Sequence, residues 1–273
     1  MAIVTISRGT FTGGKGLAEC VAKRMNYRCL SREELIKNAA QQYCAPEYGL
    51  AAALDNKPGF LEGVSLRRTH YIAYIRAALA KEVQNDNLVY HGQVGHLLMK
   101  GIPNVFKVRV IADMEFRIKS AMDQHQMSRG QAIEVIKKVD HDRAKWAKTI
   151  YHVDWEEPSQ YDLLVDLGHM KIDDACEWVV LAIEAIQPTG IDCRRLLDDL
   201  VLITEVRAQI AAHRAIEDTD IEIEANCGVV TIKGIADSDC EASWIADVVS
   251  QTPGVREIIS EIRVRSSGIY SSR

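Results

Sequence analysis

The chain has 273 residues, of which 47% are apolar and 26% charged, and a net charge of −5. This composition excludes a disordered chain and leaves room for one large or two smaller folded domains. The acidic balance gives no global basic footprint, so nucleic acid is not expected as a partner.

Residues 2–6 are a short apolar, β-branched run that reads as a buried strand. The loop Ser7-Arg8-Gly9-Thr10-Phe11-Thr12-Gly13-Gly14-Lys15-Gly16 follows, and Leu17, Val21 and Met25 then recur at helical spacing. Strand, glycine loop and helix in that order make a phosphate cradle. Glycines let backbone N–H groups point at an anion, the helix N-terminus adds partial positive charge, and a lysine adds a full one. Gly9-x-x-x-x-Gly14-Lys15 has the P-loop spacing, with Gly16 in place of the Ser or Thr that normally ligates Mg²⁺. Thr12 and Ser7 are the nearby hydroxyls that could replace it. The plainer alternative is a glycine-rich turn that merely ends a strand.

Residues 27–30 are extended, and Ser31 is placed to N-cap a helix with Glu33 and Glu34 in its first turn. Between Ala45 and Gly63 the pattern weakens around Pro46, Gly49, Pro58 and Gly59, which predicts a mobile, partly helical insertion. A long helix from Ser65 carries Arg67, Arg68, Arg76 and Lys81. Residues 87–92 form a strand running into the turn Gly92-Gln93-Val94-Gly95. A helical stretch at 97–99 and a strand over 105–111 come next. Asp113 caps one helix, and Ser128 opens another through a Ser-x-x-Gln capping box. That helix carries Lys137, Lys138, Asp140, Asp142, Arg143 and Lys145. A strand at 161–166 and a helix at 172–186 close the unit.

Strands alternating with helices predict an α/β fold, a parallel sheet with helices on both faces, whose ligand sits at the carboxyl ends of the strands. Pro188-Thr189-Gly190 breaks the pattern. The division is 1–187 for the first domain, 188–197 for a linker, 198–266 for a small αββαβ domain and 267–273 for a tail. Few contacts are expected to cross the linker, so removing residues 191–273 should leave a folded unit. The seven cysteines are scattered without metal-ligand spacing, which points to buried thiols in a reducing compartment. No basic segment followed by a long apolar one opens the chain, and 178–186 is too short to span a bilayer. A cytoplasmic location is therefore expected.

The first part resembles the cytidylate-kinase-like P-loop proteins. The resemblance rests on Ser7-Arg8, Thr12-Gly13-Gly14, Val108 to Asp113 with Arg117, Lys138-Val139-Asp140-x-x-Arg143, and Val153-Asp154-Trp155-x-x-Pro158-x-x-Tyr161-Asp162. It implies a nucleoside-monophosphate-kinase fold that moves a phosphoryl group from ATP, with Mg²⁺, to a nucleotide. Gly9, Thr12, Gly13, Gly14, Lys15 and Gly16 would then hold ATP. Lys15 would touch its β- and γ-phosphates, because phosphoryl transfer depends on positioning and positive charge. The resemblance places Arg143 on the lid as a second catalytic cation and Arg117 on the donor's base or phosphates. Arg67, Arg68 and Arg76 are candidates for the acceptor's phosphate, with the plain alternative of a solvated helix face. Gln93 occupies a position where the family often has arginine, and Ser31 one where an acid is frequent. His91 and His96 lack a third metal ligand and read as structural.

Residues 198–266 resemble a BON domain, through Gly228 to Gly234 and Pro253-Gly254-Val255. That resemblance implies an interaction module for a protein or membrane surface. The leading expectation is an ATP-dependent nucleotide phosphotransferase with a C-terminal regulatory module. The alternative is a weak or inactive nucleotide-binding sensor that signals through the BON-like part, suggested by Gly16 and Gln93. A third possibility makes the chain chiefly a BON-type interaction module on a P-loop scaffold.

Overall fold

A computed structural model describes residues 3–55, 65–85, 87–92, 95–102, 104–185, 193–213, 215–216 and 221–265. Gln93, the Pro188-Thr189-Gly190 break, the 56–63 part of the weak 45–63 stretch and the tail lie outside these residues. The first unit is a sheet of β1 (Ile3–Arg8), β2 (Arg28–Ser31), β3 (Leu88–Gly92), β4 (Val105–Ile111) and β5 (Leu163–Asp166). Their order is β2-β3-β1-β4-β5 and every pairing is parallel. β1 is therefore central, which explains its uninterrupted burial from Ile3 to Ser7.

One face of the sheet (Val4, Ile6, Val89, Val108, Val110) packs on α1 (Gly14–Met25) and α8 (Ile172–Glu184). The other face carries α2 (Arg32–Gln42), α3 (Glu47–Asp55), α4 (Ser65–Gln84) and α5 (Gly95–Leu98) over Ile3, Leu88 and Tyr90. α6 (Met114–His125) and α7 (Arg129–Tyr151) form a hairpin between β4 and β5. The caps follow local chemistry. Ser31 accepts from the Glu34 N–H at 3.1 Å, Asp113 accepts from the Phe116 N–H at 2.8 Å, and Ser128 with Gln131 forms the capping box.

The second unit has β6 (Ile221–Asn226) antiparallel to β7 (Val229–Ala236), and β8 (Glu257–Val264) parallel to β7. α10 (Asp239–Gln251) and α9 (Cys193–Ala212) complete it. α9 starts within the expected linker and serves two cores. Leu197, Ala208 and Ala211 join the core around α2 and α4, whereas Leu202, Val206 and Ile210 pack with Ile223, Ile232 and Ile245. Tyr74 donates to the Ala211 carbonyl at 3.1 Å, and Lys81 pairs with Glu205 at 2.8 Å. Contacts therefore cross from α4 to α9, contrary to the sparse crossing expected from the sequence. A helix apolar on two sides has to be covered on two sides.

Among the described residues, no helix is long and apolar enough to cross a membrane.

Candidate phosphate-loop site

The loop after β1 lies at the carboxyl end of the sheet. Gly9 donates to the Val110 carbonyl at 3.3 Å, and Thr12 N–H returns to the Gly9 carbonyl at 3.4 Å, which folds the loop over the sheet edge. Gly13 is the N-cap of α1 at φ 80° and offers no side-chain cap. The first N–H groups of a helix have no intrahelical acceptor, so those of α1 remain available to an anion. Gly14 is required by space. A Cβ there would stand 2.6 Å from the Cβ of Arg8.

Lys15 projects from this turn with its side chain 67% exposed, and among the described residues its only ion pair is Glu19 at 3.8 Å. A pair that open holds the lysine weakly. Gly16 faces α8, where a Cβ would meet Ile172 Cδ1 at 3.1 Å. Each of the two hydroxyls expected to replace the missing Mg²⁺ ligand makes one hydrogen bond within the protein. Thr12 Oγ1 donates to the Gly9 carbonyl at 3.0 Å, and Ser7 Oγ is 3.0 Å from His96 Nδ1. Among the described residues no group of three His, Cys, Asp or Glu side chains could hold a metal. The site thus fits the phosphates of a nucleotide, but it offers no protein cage for the ion.

Arginines gather around the loop. Arg143, from α7, is 12% exposed at its side chain and donates to the Arg8 carbonyl at 3.1 Å. Burial pulls its pKa down to about 10; Asp140 opposes this, and the nearby charges of Arg8, Arg117 and Arg32 add to it. It therefore stays charged at neutral pH. Arg32, the first residue of α2, is held by Asp55 at 2.6 Å and by the Ala51 carbonyl at 3.3 Å. The Nε atoms of Arg8, Arg32 and Arg143 are all buried without a hydrogen-bond partner. Three buried Nε donors left unpartnered are costly unless an acceptor meets them.

Arg117 is turned inward. Its Nε donates to the Thr10 carbonyl at 2.8 Å and its Nη2 to Asp140 at 2.6 Å. It binds loop and lid to each other, and its guanidinium is not presented as a free stacking plane. Of the acceptor candidates, Arg67 is exposed, and Arg68 reaches the Ala53 carbonyl at 3.4 Å with a buried, unpartnered Nη2. Arg76 Nη2 donates to the Lys100 carbonyl at 3.2 Å, and its Nε is buried without a partner. Lys138 is exposed while Arg143 is not, as their spacing round α7 requires. Arg8 and Arg32 were not singled out as site residues from sequence. The available signal was their position, one residue past a strand's buried run and at a helix's first turn.

A parallel five-stranded sheet with a glycine loop between β1 and α1 and a helical hairpin between β4 and β5 defines a P-loop kinase-like fold. Residues 3–169 match the cytidylate kinase-like family, to which this chain belongs, and residues 198–266 match the BON domain. An uncharacterized protein of Eubacterium ventriosum ATCC 27560 superposes with a TM-score of 0.52 at 19% identity, over 68% of this chain and 100% of that one. Two curated relatives match shorter stretches. Osmotically-inducible protein Y of Escherichia coli (strain K12) is 28% identical over 71 residues, 26% of this chain and 35% of that protein. An uncharacterized protein in the gshII 5′ region of Anaplasma centrale is 25% identical over 83 residues, 30% of this chain and 55% of that protein. The chain thus spans about half of one curated relative and about a third of the other.

Proposed function

We propose that the protein is an ATP-dependent phosphotransferase acting on a nucleotide, with its BON domain as a regulatory or docking module. The observation that carries this reading is the set of buried, unpartnered Nε donors of Arg8 at the loop, of Arg143, which donates to the Arg8 carbonyl, and of Arg32, whose charge acts on Arg143. Bound ATP with Mg²⁺ would supply the phosphoryl group. The N–H groups at the start of α1 and Lys15 would hold the donor's phosphates, with the ion carried by those phosphates rather than by a protein hydroxyl. Arg143 would stabilise charge on the transferring group, and the α6–α7 hairpin would keep water out. Arg32, Arg68 and Arg76 are the candidates for the acceptor's phosphate, since each keeps a buried unpaired donor. Arg67 has no such feature, and Arg76 also donates through Nη2 to the Lys100 carbonyl.

The BON domain resembles part of osmotically-inducible protein Y, which supports an interaction role toward a protein or a membrane surface. The second reading is a nucleotide sensor with weak or no transfer. It is favoured by Gly16 and by the Arg117–Asp140 tie across the loop.

The test is to incubate the protein with ATP·Mg²⁺ and a panel of nucleoside monophosphates and to measure ADP release, with Lys15→Ala as control. Loss of one directly placed phosphate donor should lower turnover by about 10²–10³-fold. Release that is equal in wild type and Lys15→Ala would refute the assignment. Nucleotide binding without release would select the sensor reading.

A further inference from the structure

A second cavity, of about 460 Å³, lies on the sheet face that carries α5. That is enough room for a small metabolite. It shares no residue with the loop 7–16. Its walls are α5 and the turn after it, the start of β4, the end of α7 and the 3₁₀ turn Pro158–Gln160.

The chemistry of these walls is one-sided. Lys100 and Lys107 line the cavity, and no carboxylate does among the described residues. Lys107 Nζ keeps a distant partner, Asp162, at 3.6 Å, while the exposed Lys100 forms no ion pair among the described residues. Two further liners, Tyr151 and His96, each contain a buried polar atom without a hydrogen-bond partner, Oη and Nε2. His96 Nδ1 is already committed to Ser7 Oγ, so Nε2 is the one ring nitrogen still unpaired. Burial, with Lys107 and Arg109 nearby, pushes its pKa down to about 4. The ring is therefore neutral at pH 7 and able to hydrogen-bond without adding charge. One unpaired and one loosely paired lysine beside orphaned polar atoms are what an anion site leaves when its ligand is not counted.

We propose that this cavity binds a small anion bearing a carboxylate or phosphate group, with Lys100 and Lys107 supplying the charge and Tyr151 and His96 the hydrogen bonds. The site shares no lining residue with the phosphate loop, and the His96–Ser7 hydrogen bond links the two.

Sodium phosphate and sodium malonate, titrated calorimetrically into the full-length Lys15→Ala protein, test it. Lys15→Ala weakens phosphate binding at the glycine loop, and the two probes separate phosphate-bearing from carboxylate-bearing ligands. At least one probe should saturate a single site. The double substitution Lys100→Met, Lys107→Met should weaken it tenfold or more, and a probe-dependent ¹⁵N shift of His96 Nε2 should disappear with it. Lys100 is exposed, so Lys100→Met alone should cost at least threefold even if Lys107→Met fails to fold. No saturable binding of either probe, or binding unchanged by Lys100→Met, would overturn the proposal.

Discussion

Asp140 accepts from Arg117 Nη2 at 2.6 Å through one oxygen and from Thr10 Oγ1 at 3.3 Å through the other. A single carboxylate on α7 therefore ties together the phosphate loop, α6 and α7. Arg143, one turn further along, closes the same seam on the Arg8 carbonyl. Asp140→Ala should remove about 1–3 kcal/mol of stability, because it strands the largely buried guanidinium of Arg117. Urea denaturation measures this. Asp140→Asn can keep the Thr10 bond and should lose less. Equal midpoints for wild type and Asp140→Ala would reduce the seam to an exposed, solvent-screened contact.

Arg143→Ala should lower both turnover and stability, since the side chain serves the loop's backbone as well as the proposed transferring group. Arg143→Lys separates these roles. Lysine keeps a charge and one donor to Arg8, but it loses the planar fork that a phosphoryl group would meet. Near-wild-type unfolding with turnover reduced by at least tenfold is expected for Arg143→Lys. If its turnover matches wild type, Arg143 is a structural residue alone.

Much of this arrangement was legible in the sequence because it is local. The glycine spacing after β1, the Ser31 and Asp113 caps and the Ser128 capping box depend on neighbours within four residues, and each forms as the chain order predicts. The alternation of strands and helices likewise gave the parallel sheet. What was not legible is convergence. Arg8 and Arg32 meet Arg143 only because β1 and β2 end at the same edge of the sheet and α7 returns over it. The double role of α9 left a trace that a search for a single apolar face misses. Leu197, Ala208 and Ala211 face one way, and Leu202, Val206 and Ile210 face the other. Residues 188–190 look like a linker by composition, but composition carries no information about what a following helix packs against.

Stability should fall as the pH drops from neutral to mildly acid. His91 and His96 are pushed from the ordinary 6.5 to about 4 by burial first, with Arg8 adding to the effect at His91 and Lys107 and Arg109 at His96. In that window the unfolded chain takes up protons that the folded chain refuses. The stabilisation is complete above pH 6.5 and is lost progressively toward pH 4. Between pH 7 and 5 the loss is about 2 kcal/mol per histidine at most. Thermal unfolding across this range measures it, and His96→Asn, which can retain a bond to Ser7, should flatten the slope. An unchanged slope would mean that His96 titrates normally in the folded protein.

Removing residues 186–273 should destabilise the first unit, the reverse of what its linker-like boundary suggests. α9 covers α4 and α2 through Leu197, Ala208 and Ala211, and Glu205 is bound by Lys81 at 2.8 Å and by Tyr43 Oη at 2.8 Å. Burial raises the Glu205 pKa, but the hydrogen bonds from Lys81, Gln209 and Tyr43 outweigh it and hold the carboxyl below its usual range. The group is thus ionised and paired at neutral pH, and the contact weakens only as acid titrates it below the ordinary carboxylate range. Stripping α9 away exposes that apolar face and unpairs Lys81. Burying one leucine alone is worth about 1.5–3 kcal/mol, and 1 kcal/mol moves the midpoint of a unit this size by about 2–4 °C. A chain ending at residue 185 should therefore melt about 10 °C lower than the full-length protein, or aggregate. A chain ending at residue 213 retains α9 on α4 but exposes Leu202, Val206 and Ile210, so it should recover much of the midpoint while binding a hydrophobic dye. A 1–185 chain that is monodisperse and melts with the full-length protein would show that α9 contributes nothing to the first unit.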